Sequence, residues 1–418
     1  MSMTSLVSNG ISKLDLKRRN RMQVLKILKH NGPTSRIDIA KMLGLTRAAV
    51  TIITNEMIEL GILLEVGELK HPDERAPRGR KKILIDINYN YKFIVGVNIE
   101  EDIISIGLTT LAGDILDKRN RAMDPNFFNT ASIYDYINRS VRVMMNDNCL
   151  EKSQIIGIGF GINPSLYDFF AIKMVDNNPD YSVLQKAVEQ FTDLPVTFGS
   201  SVIGTAIANI DFIKKKYTEP ESITFLQFGK EINFLANTRK NPTVYYHERT
   251  DLVNNIIIEP DSNDVCPHCG RRGCVKNEIT GEAIMKKIRR SFSKDTTPYL
   301  YKLAEGDSSN ISEAMIMESY RNGDKAVIQI FDRASRLVAL LINNLYCITN
   351  TERIVIHLFS FDTQVTFEMI KESVAKLTSD EFAQKLELSV VDRKNRFLSG
   401  CALAVRDLFF QKGGFVDH

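Results

Sequence analysis

Three cysteines, Cys266, Cys269 and Cys274, fall within nine positions in the run Cys-Pro-His-Cys-Gly-Arg-Arg-Gly-Cys. Zinc takes four thiolate or imidazole ligands in a tetrahedron, and a C-x-x-C knuckle followed five residues later by a third cysteine supplies three of them. The remaining cysteines, Cys149, Cys347 and Cys401, are scattered and read as buried thiols. Six cysteines in 418 residues, half of them clustered, fit a metal site in a reducing compartment better than a disulfide framework. The expected cofactor is a structural zinc ion, Zn2+.

A different chemistry sits at the other end of the chain. Residues 1–82 hold sixteen of the 54 Lys and Arg but eight of the 51 Asp and Glu, a net charge of +8, while the remainder carries 38 basic against 43 acidic residues. A positive head on a mildly acidic body suits a nucleic-acid reader joined to a sensor or an enzyme. No apolar run reaches the ~18 residues of a membrane helix, and residues 1–10 lack a secretory pattern, so a cytoplasmic protein without a membrane partner is expected.

The elements that must position this head are legible. Val24, Leu25 and Leu28 lie at helical spacing between Lys17 and His30, and Asn31, Gly32 and Pro33 end that helix. Ser35 and Asp38 form an S-x-x-D capping box for a short second helix stopped by Gly44. Thr46 caps a third, whose stripe is Val50, Ile53, Met57 and Leu60. With the apolar run 62–66, these spell a winged helix-turn-helix over residues 1–75. Its third helix offers Arg47, Ala48, Thr51, Thr54 and Asn55 to base edges of double-stranded operator DNA, with Thr46 at its start, and Ser35 and Arg36 are candidates for phosphate contacts. Residues 76–90 read as a basic wing and linker. There Pro77-Arg78-Gly79-Arg80 resembles an AT-hook core, in which Arg78 and Arg80 flank Gly79 in an A·T-rich minor groove; a solvated basic linker is the alternative. Ile83, Leu84 and Ile85 are expected to open the next module.

From residue 91 onward three strands separated by tight polar turns precede a helix near 130–145, a buried strand at 155–160, and a strand and helix from Pro195 to about 213. That order begins an actin-like, ribonuclease-H-like domain. The expected fold class is α+β and α/β: the winged helix-turn-helix, then a two-lobed body with lobe 1 at 91–212, to which the carboxy-terminal helix returns, and lobe 2 at 213–418 with the cysteine loop. A single last helix is expected at 394–411.

A winged helix-turn-helix, an actin-like body and the segment Cys269-Gly270-Arg271-Arg272-Gly273-Cys274 together resemble the ROK family of sugar-responsive repressors and sugar kinases, over nearly the whole chain in order. The resemblance implies kinase motifs, and this chain departs from each. The first phosphate loop, Asp-x-Gly-x-Thr, is matched by Asn98-Ile99-Glu100-Glu101-Asp102, whose carboxylates would repel a polyphosphate. The catalytic Asn-Asp pair is matched by Ser200 and Ser201, and a serine cannot be that general base. The second phosphate loop is Gly229-Lys230-Glu231-Ile232-Asn233, and the adenosine loop is His357-Leu358-Phe359-Ser360. No enzyme activity and no ATP are therefore expected.

By position in the family the effector candidates are Asn163, Asn178, Ser200, Ser201, Asn255 and Lys276; fewer acidic contacts and an added lysine suit a sugar phosphate or acidic effector. The family's histidine zinc ligand is replaced by Asn255, so His247 or His268 is left to complete the set, although His268 adjoins Cys269 awkwardly. The reading is a repressor of carbohydrate uptake or catabolism genes, a homodimer or tetramer on palindromic DNA, controlled by a sugar or sugar phosphate. The alternatives are a sugar kinase with atypical phosphate loops and an effector-independent DNA-binding protein.

Overall fold

In the computed structural model, which describes residues 13–68, 82–123, 129–176, 178–212, 222–238, 241–245 and 250–415, three helices open the chain. These are α1 (Lys13–Asn31), α2 (Arg36–Leu43) and α3 (Arg47–Glu59). Ser35 caps α2 by accepting from the Asp38 amide, and Thr46 caps α3 by accepting from Ala49; each side-chain oxygen satisfies an amide that has no partner within its helix. Val24, Leu25, Leu28, Ile39, Val50 and Met57 form the fully buried core.

Strands β1 (Thr34–Ser35), β2 (Leu63–Glu68) and β3 (Ile83–Ile87) make an antiparallel sheet in the order β1-β3-β2. The run Ile83-Leu84-Ile85 thus closes the wing instead of opening the body. Its period-two pattern suits either neighbour, and pairing with β2 decides, with Ile85 and Ile87 buried as β3 packs against α1 and α2. Arg78, Gly79 and Arg80 lie outside the described residues.

The first lobe follows as β4 (Phe93–Ile99), β5 (Ile103–Thr109), β6 (Ile115–Ala122), α4 (Thr130–Asp147), β7 (Ile155–Ile162), a small β8–β9 ribbon (Lys173–Val175, Asn178–Asp180), α5 (Ser182–Glu189), β10 (Val196–Ser200) and α6 (Ser201–Asp211). The sheet order is β10-β7-β4-β5-β6, with β4, β7 and β10 parallel and β5 and β6 antiparallel. Ile133, Ile137 and Met144 of α4, at helical spacing, share a core with Val95, Ile106 and Phe160.

The second unit, Pro220–Arg393, uses the same plan. Its strands are β11 (Ile223–Phe228), β12 (Ile232–Thr238), β13 (Asn241–Tyr245), β14 (Arg353–Leu358) and β15 (Leu386–Leu388), in the order β13-β12-β11-β14-β15. Among the described residues the α-helices that accompany them are α7 (Val275–Ile279), α8 (Gly281–Ser291), α9 (Pro298–Leu303), α10 (Glu313–Arg321), α11 (Lys325–Thr349), α12 (Thr363–Leu377) and α13 (Asp380–Ala383). Two copies of one strand order define a ribonuclease-H-like, actin-type body.

From Lys394 the chain rejoins the first unit. Residues 394–411 do not form one helix: α14 (Leu398–Ala404) starts later and passes into a π-helical turn, Val405–Phe410. This helix lies directly on the first sheet, so close that a Cβ on Gly400 would sit 2.3 Å from the Gly159 oxygen and 2.5 Å from that of Val97. Beyond it Gly413 and Gly414, both left-handed at φ +66° and +73°, turn the backbone onto α1. There Arg21, fully buried, donates from Nε to the Gly413 carbonyl at 2.9 Å and stacks on Phe415, 3.8 Å from the ring centre. Its Nη1 lies 3.9 Å from Glu56 of α3. Burial lowers the Arg21 pKa, opposed by the charge of Glu56. Lys29 of α1 adds an ion pair to Asp211 at 2.7 Å. No helix of the described residues is long and apolar enough to cross a membrane.

The close approach of α14 makes a stability prediction. Gly400→Ala inserts a methyl group against backbone that cannot yield, which should cost about 1–3 kcal/mol and lower Tm by several degrees. An unchanged thermal melt would show that α14 is free to lift away from the sheet.

Candidate nucleic-acid interface, effector site and metal centre

The outward face of α3 carries Arg47, Ala48, Ile52 and Asn55, all exposed, with Thr51 half-buried beside them. The Thr51 hydroxyl donates to the Arg47 carbonyl at 2.8 Å, which leaves its oxygen with acceptor capacity. Thr46 is occupied by its cap. Ser35 is buried, donating to the Asp38 carboxylate at 2.6 Å while accepting from its amide. Arg36 does not project either. Its Nε donates to Thr54 at 3.1 Å, and Nη2 donates to Asn55 Oδ1 and Glu65 Oε1, both at 3.0 Å. The guanidinium is a brace between α2, α3 and the strand β2, a role that depends on Glu65, twenty-nine residues away.

In the first lobe the turn after β4 is organised by one carboxylate. Glu100 is buried and accepts from Asn98 Nδ2 at 3.0 Å and, by a short bond, from Asn163 Nδ2. Asn98 in turn accepts from Ser399 of α14 at 2.6 Å. Burial drives the Glu100 pKa upward; Asn163, Asn98, the charge of Arg396 and Ser201 act against it without cancelling it. Asn163 is thereby tied to this turn, and Ser201 lies near enough to Glu100 to act on its pKa although its hydroxyl has no hydrogen-bond partner among the described residues. Asp102 points elsewhere, to Arg396 at 2.8 Å. Ser200 caps α6 by accepting from Val202. The Asn178 side chain donates to the Asp176 carbonyl and, among the described residues, makes no hydrogen bond to Glu100 or Asn163.

The other candidates belong to the second unit. Lys276 pairs with Glu231 at 2.6 Å, so its charge is met by the turn that occupies the place of the second phosphate loop. The Asn255 carbonyl accepts from Arg271 at 3.2 Å, and the neighbouring Asn254 is buried, clamping both backbone groups of Ile232.

The sulfur atoms of Cys266, Cys269 and Cys274 lie within 4.8 Å of one another, with Cys269 and Cys274 3.6 Å apart. Tetrahedral zinc with bonds of ~2.3 Å places its thiolates ~3.8 Å apart, so this donor set fits a metal ion. Burial raises the Cys274 pKa to about 12, while backbone amides and the neighbouring thiols outweigh burial at Cys266 and hold it low. Gly273 permits the loop: at φ +64° a Cβ there would fall 1.7 Å from the Glu259 carbonyl. His268 is exposed and is not among the clustered ligand atoms; His247 lies outside the described residues.

These features define a class, a winged helix-turn-helix carried by an actin-type body with a three-cysteine loop. Comparison with other proteins agrees. Residues 17–63 match the model described as winged helix-turn-helix DNA-binding, and residues 253–404 match the ROK family; the chain carries a ROK family domain behind an amino-terminal winged helix-turn-helix. It is 22% identical over 409 residues to the xylose repressor of Caldicellulosiruptor bescii, covering 94% of this chain and 97% of that one. It is 24% identical over 287 residues to the DNA-binding transcriptional dual regulator NagC of Escherichia coli, covering 66% of each. Among solved structures, a ROK family transcriptional regulator homologous to the E. coli MLC protein superposes with TM-score 0.66 at 18% identity, over 95% of this chain and 97% of that one. A ROK glucokinase from Streptomyces griseus superposes with TM-score 0.56 at 17% identity, over 75% and 99%.

Glu100 gives the site a pH signature. A carboxyl whose pKa is raised on folding binds its proton more tightly in the folded state, so its contribution to stability falls as the pH climbs from about 4.5 through the folded pKa. Glu100→Gln removes that dependence. The difference in Tm, variant minus wild type, should become more positive between about pH 4.5 and 8; a flat difference would mean that Glu100 titrates as an ordinary carboxylate.

Proposed function

We propose that this protein is a transcriptional repressor of sugar uptake or catabolism genes, binding operator DNA through α3 and responding to a sugar or sugar phosphate held by its body. The observation that carries the reading is the full-length likeness to xylose repressors together with a reading helix whose outward face is exposed and braced. A homodimer or tetramer would present two such helices to the halves of a palindrome. Arg78, Gly79 and Arg80 would add minor-groove contacts next to the wing.

Phosphotransfer is not part of this proposal. The place of the kinase base is held by Ser201, and the carboxylate nearby, Glu100, has its oxygens engaged by Asn98 and Asn163. Asn163, Asn178, Ser200, Ser201, Asn255 and Lys276 remain the effector candidates, Lys276 as a member of an ion pair with Glu231. Zinc held by Cys266, Cys269 and Cys274 would have a structural role, fixing the loop that leads into α7 and so placing Lys276.

Footprinting of the full-length protein on genomic DNA should recover sites beside transport or catabolic genes, and a panel of sugars and sugar phosphates should contain a compound that raises Tm and shifts DNA affinity. Absence of any enriched site, or ATP-dependent phosphorylation of a sugar at the turnover of a kinase, would overturn the reading. Metal analysis of protein purified without chelator should give about one zinc per chain, lost in Cys274→Ser; less than substoichiometric zinc would remove the metal from the proposal.

A further inference from the structure

The outward face of α3 carries a side chain that charge and hydrogen-bonding arguments pass over. Ile52 is 69% exposed, at the centre of that face, with Ala48 one turn before it and Asn55 nearly one turn after. A single exposed apolar side chain needs no explanation in general. Here its two neighbours narrow what it can meet. Ala48 extends the apolar surface. Asn55 has its carbonyl oxygen taken by Arg36 Nη2 at 3.0 Å; because guanidinium only donates, the amide must turn its oxygen inward and present its NH2 group outward.

That constraint changes what Asn55 can read. The bidentate contact of asparagine with adenine needs its acceptor and its donor turned to one base together, and here the oxygen is turned toward Arg36, which leaves the NH2 group as the part directed to a base. The face as a whole is therefore an apolar patch beside a hydrogen-bond donor. In the major groove, thymine is the base that presents a methyl group next to an acceptor, O4; guanine offers acceptors without a methyl, and cytosine offers a donor.

We propose that Ile52 is a specificity-determining residue that packs on the C5 methyl of a thymine in the bound duplex, with Asn55 Nδ2 donating to thymine O4 on that base or the adjacent one. The proposal deepens the DNA-binding reading above and rests on it. Arg36 acts as the positioning residue that fixes the sense of the Asn55 amide.

The test uses the full-length protein and duplexes enriched from a random-sequence library. In the best duplex each thymine is replaced in turn by deoxyuridine, which removes the methyl group and leaves O4 in place. At fixed salt one position in each half-site should lose about four-fold in affinity, the weight of one buried carbon group. That penalty should vanish in Ile52→Ala, which, at an exposed position, should melt at the temperature of the wild type. If every uridine substitution stays within the scatter of the unmodified duplex, or if the penalty persists unchanged in Ile52→Ala, the assignment is overturned. If no duplex is enriched, the DNA-binding reading fails and this inference falls with it.

Discussion

Arg21 is the residue on which the geometry of the first unit turns. Its Nη1 and Nη2 have no hydrogen-bond partner among the described residues, and an arginine cannot shed its charge to escape that cost. What offsets it is the Gly413 carbonyl, the face of Phe415 and the longer-range attraction of Glu56. Those three partners belong to the returning segment and to α3. One buried cation therefore couples α1, α3 and the carboxy-terminal turn. The orientation of α3 on the first lobe follows from it, reinforced by the Lys29–Asp211 pair.

Much of the amino-terminal module was legible because its determinants are local. A serine or threonine followed three residues later by an amide is chemistry within one turn, and Ser35 and Thr46 cap as the sequence indicated. What escaped reading was non-local. Ile83-Leu84-Ile85 has a strand pattern but no label for its partner. Arg36 looked like a phosphate contact until Glu65, Thr54 and Asn55 were seen to enclose it. The succession of strands and helices along the body could be anticipated from the spacing of apolar runs, whereas the division of residues 394–411 into α14 and a π-helical turn could not.

The body shows the same division. Absence of glycine from the turn after β4 is a property of the sequence, and it argues against a phosphate cradle at that place. The inward direction of Glu100 is a property of packing: the neighbouring donors Asn98 and Asn163 draw the carboxylate in, and Ser399 of α14 holds Asn98 in turn. The turn is a buried polar network, and such networks tolerate few substitutions because every unpaired member is costly. The three cysteines are a third case, in which spacing alone anticipated the clustering and the identity of a fourth ligand was beyond it.

The bond from Arg21 to Gly413 spans 392 positions. Contacts within α1 to α3 are local and close quickly, whereas a contact across such a distance waits until the intervening chain has found its own structure. The core of α1 to α3 is built from local contacts, whereas the bond to Gly413 requires the chain to have returned from the second unit, which lies between α6 and α14 in sequence. Part of what holds α1 against α3 is therefore supplied from the far end of the chain.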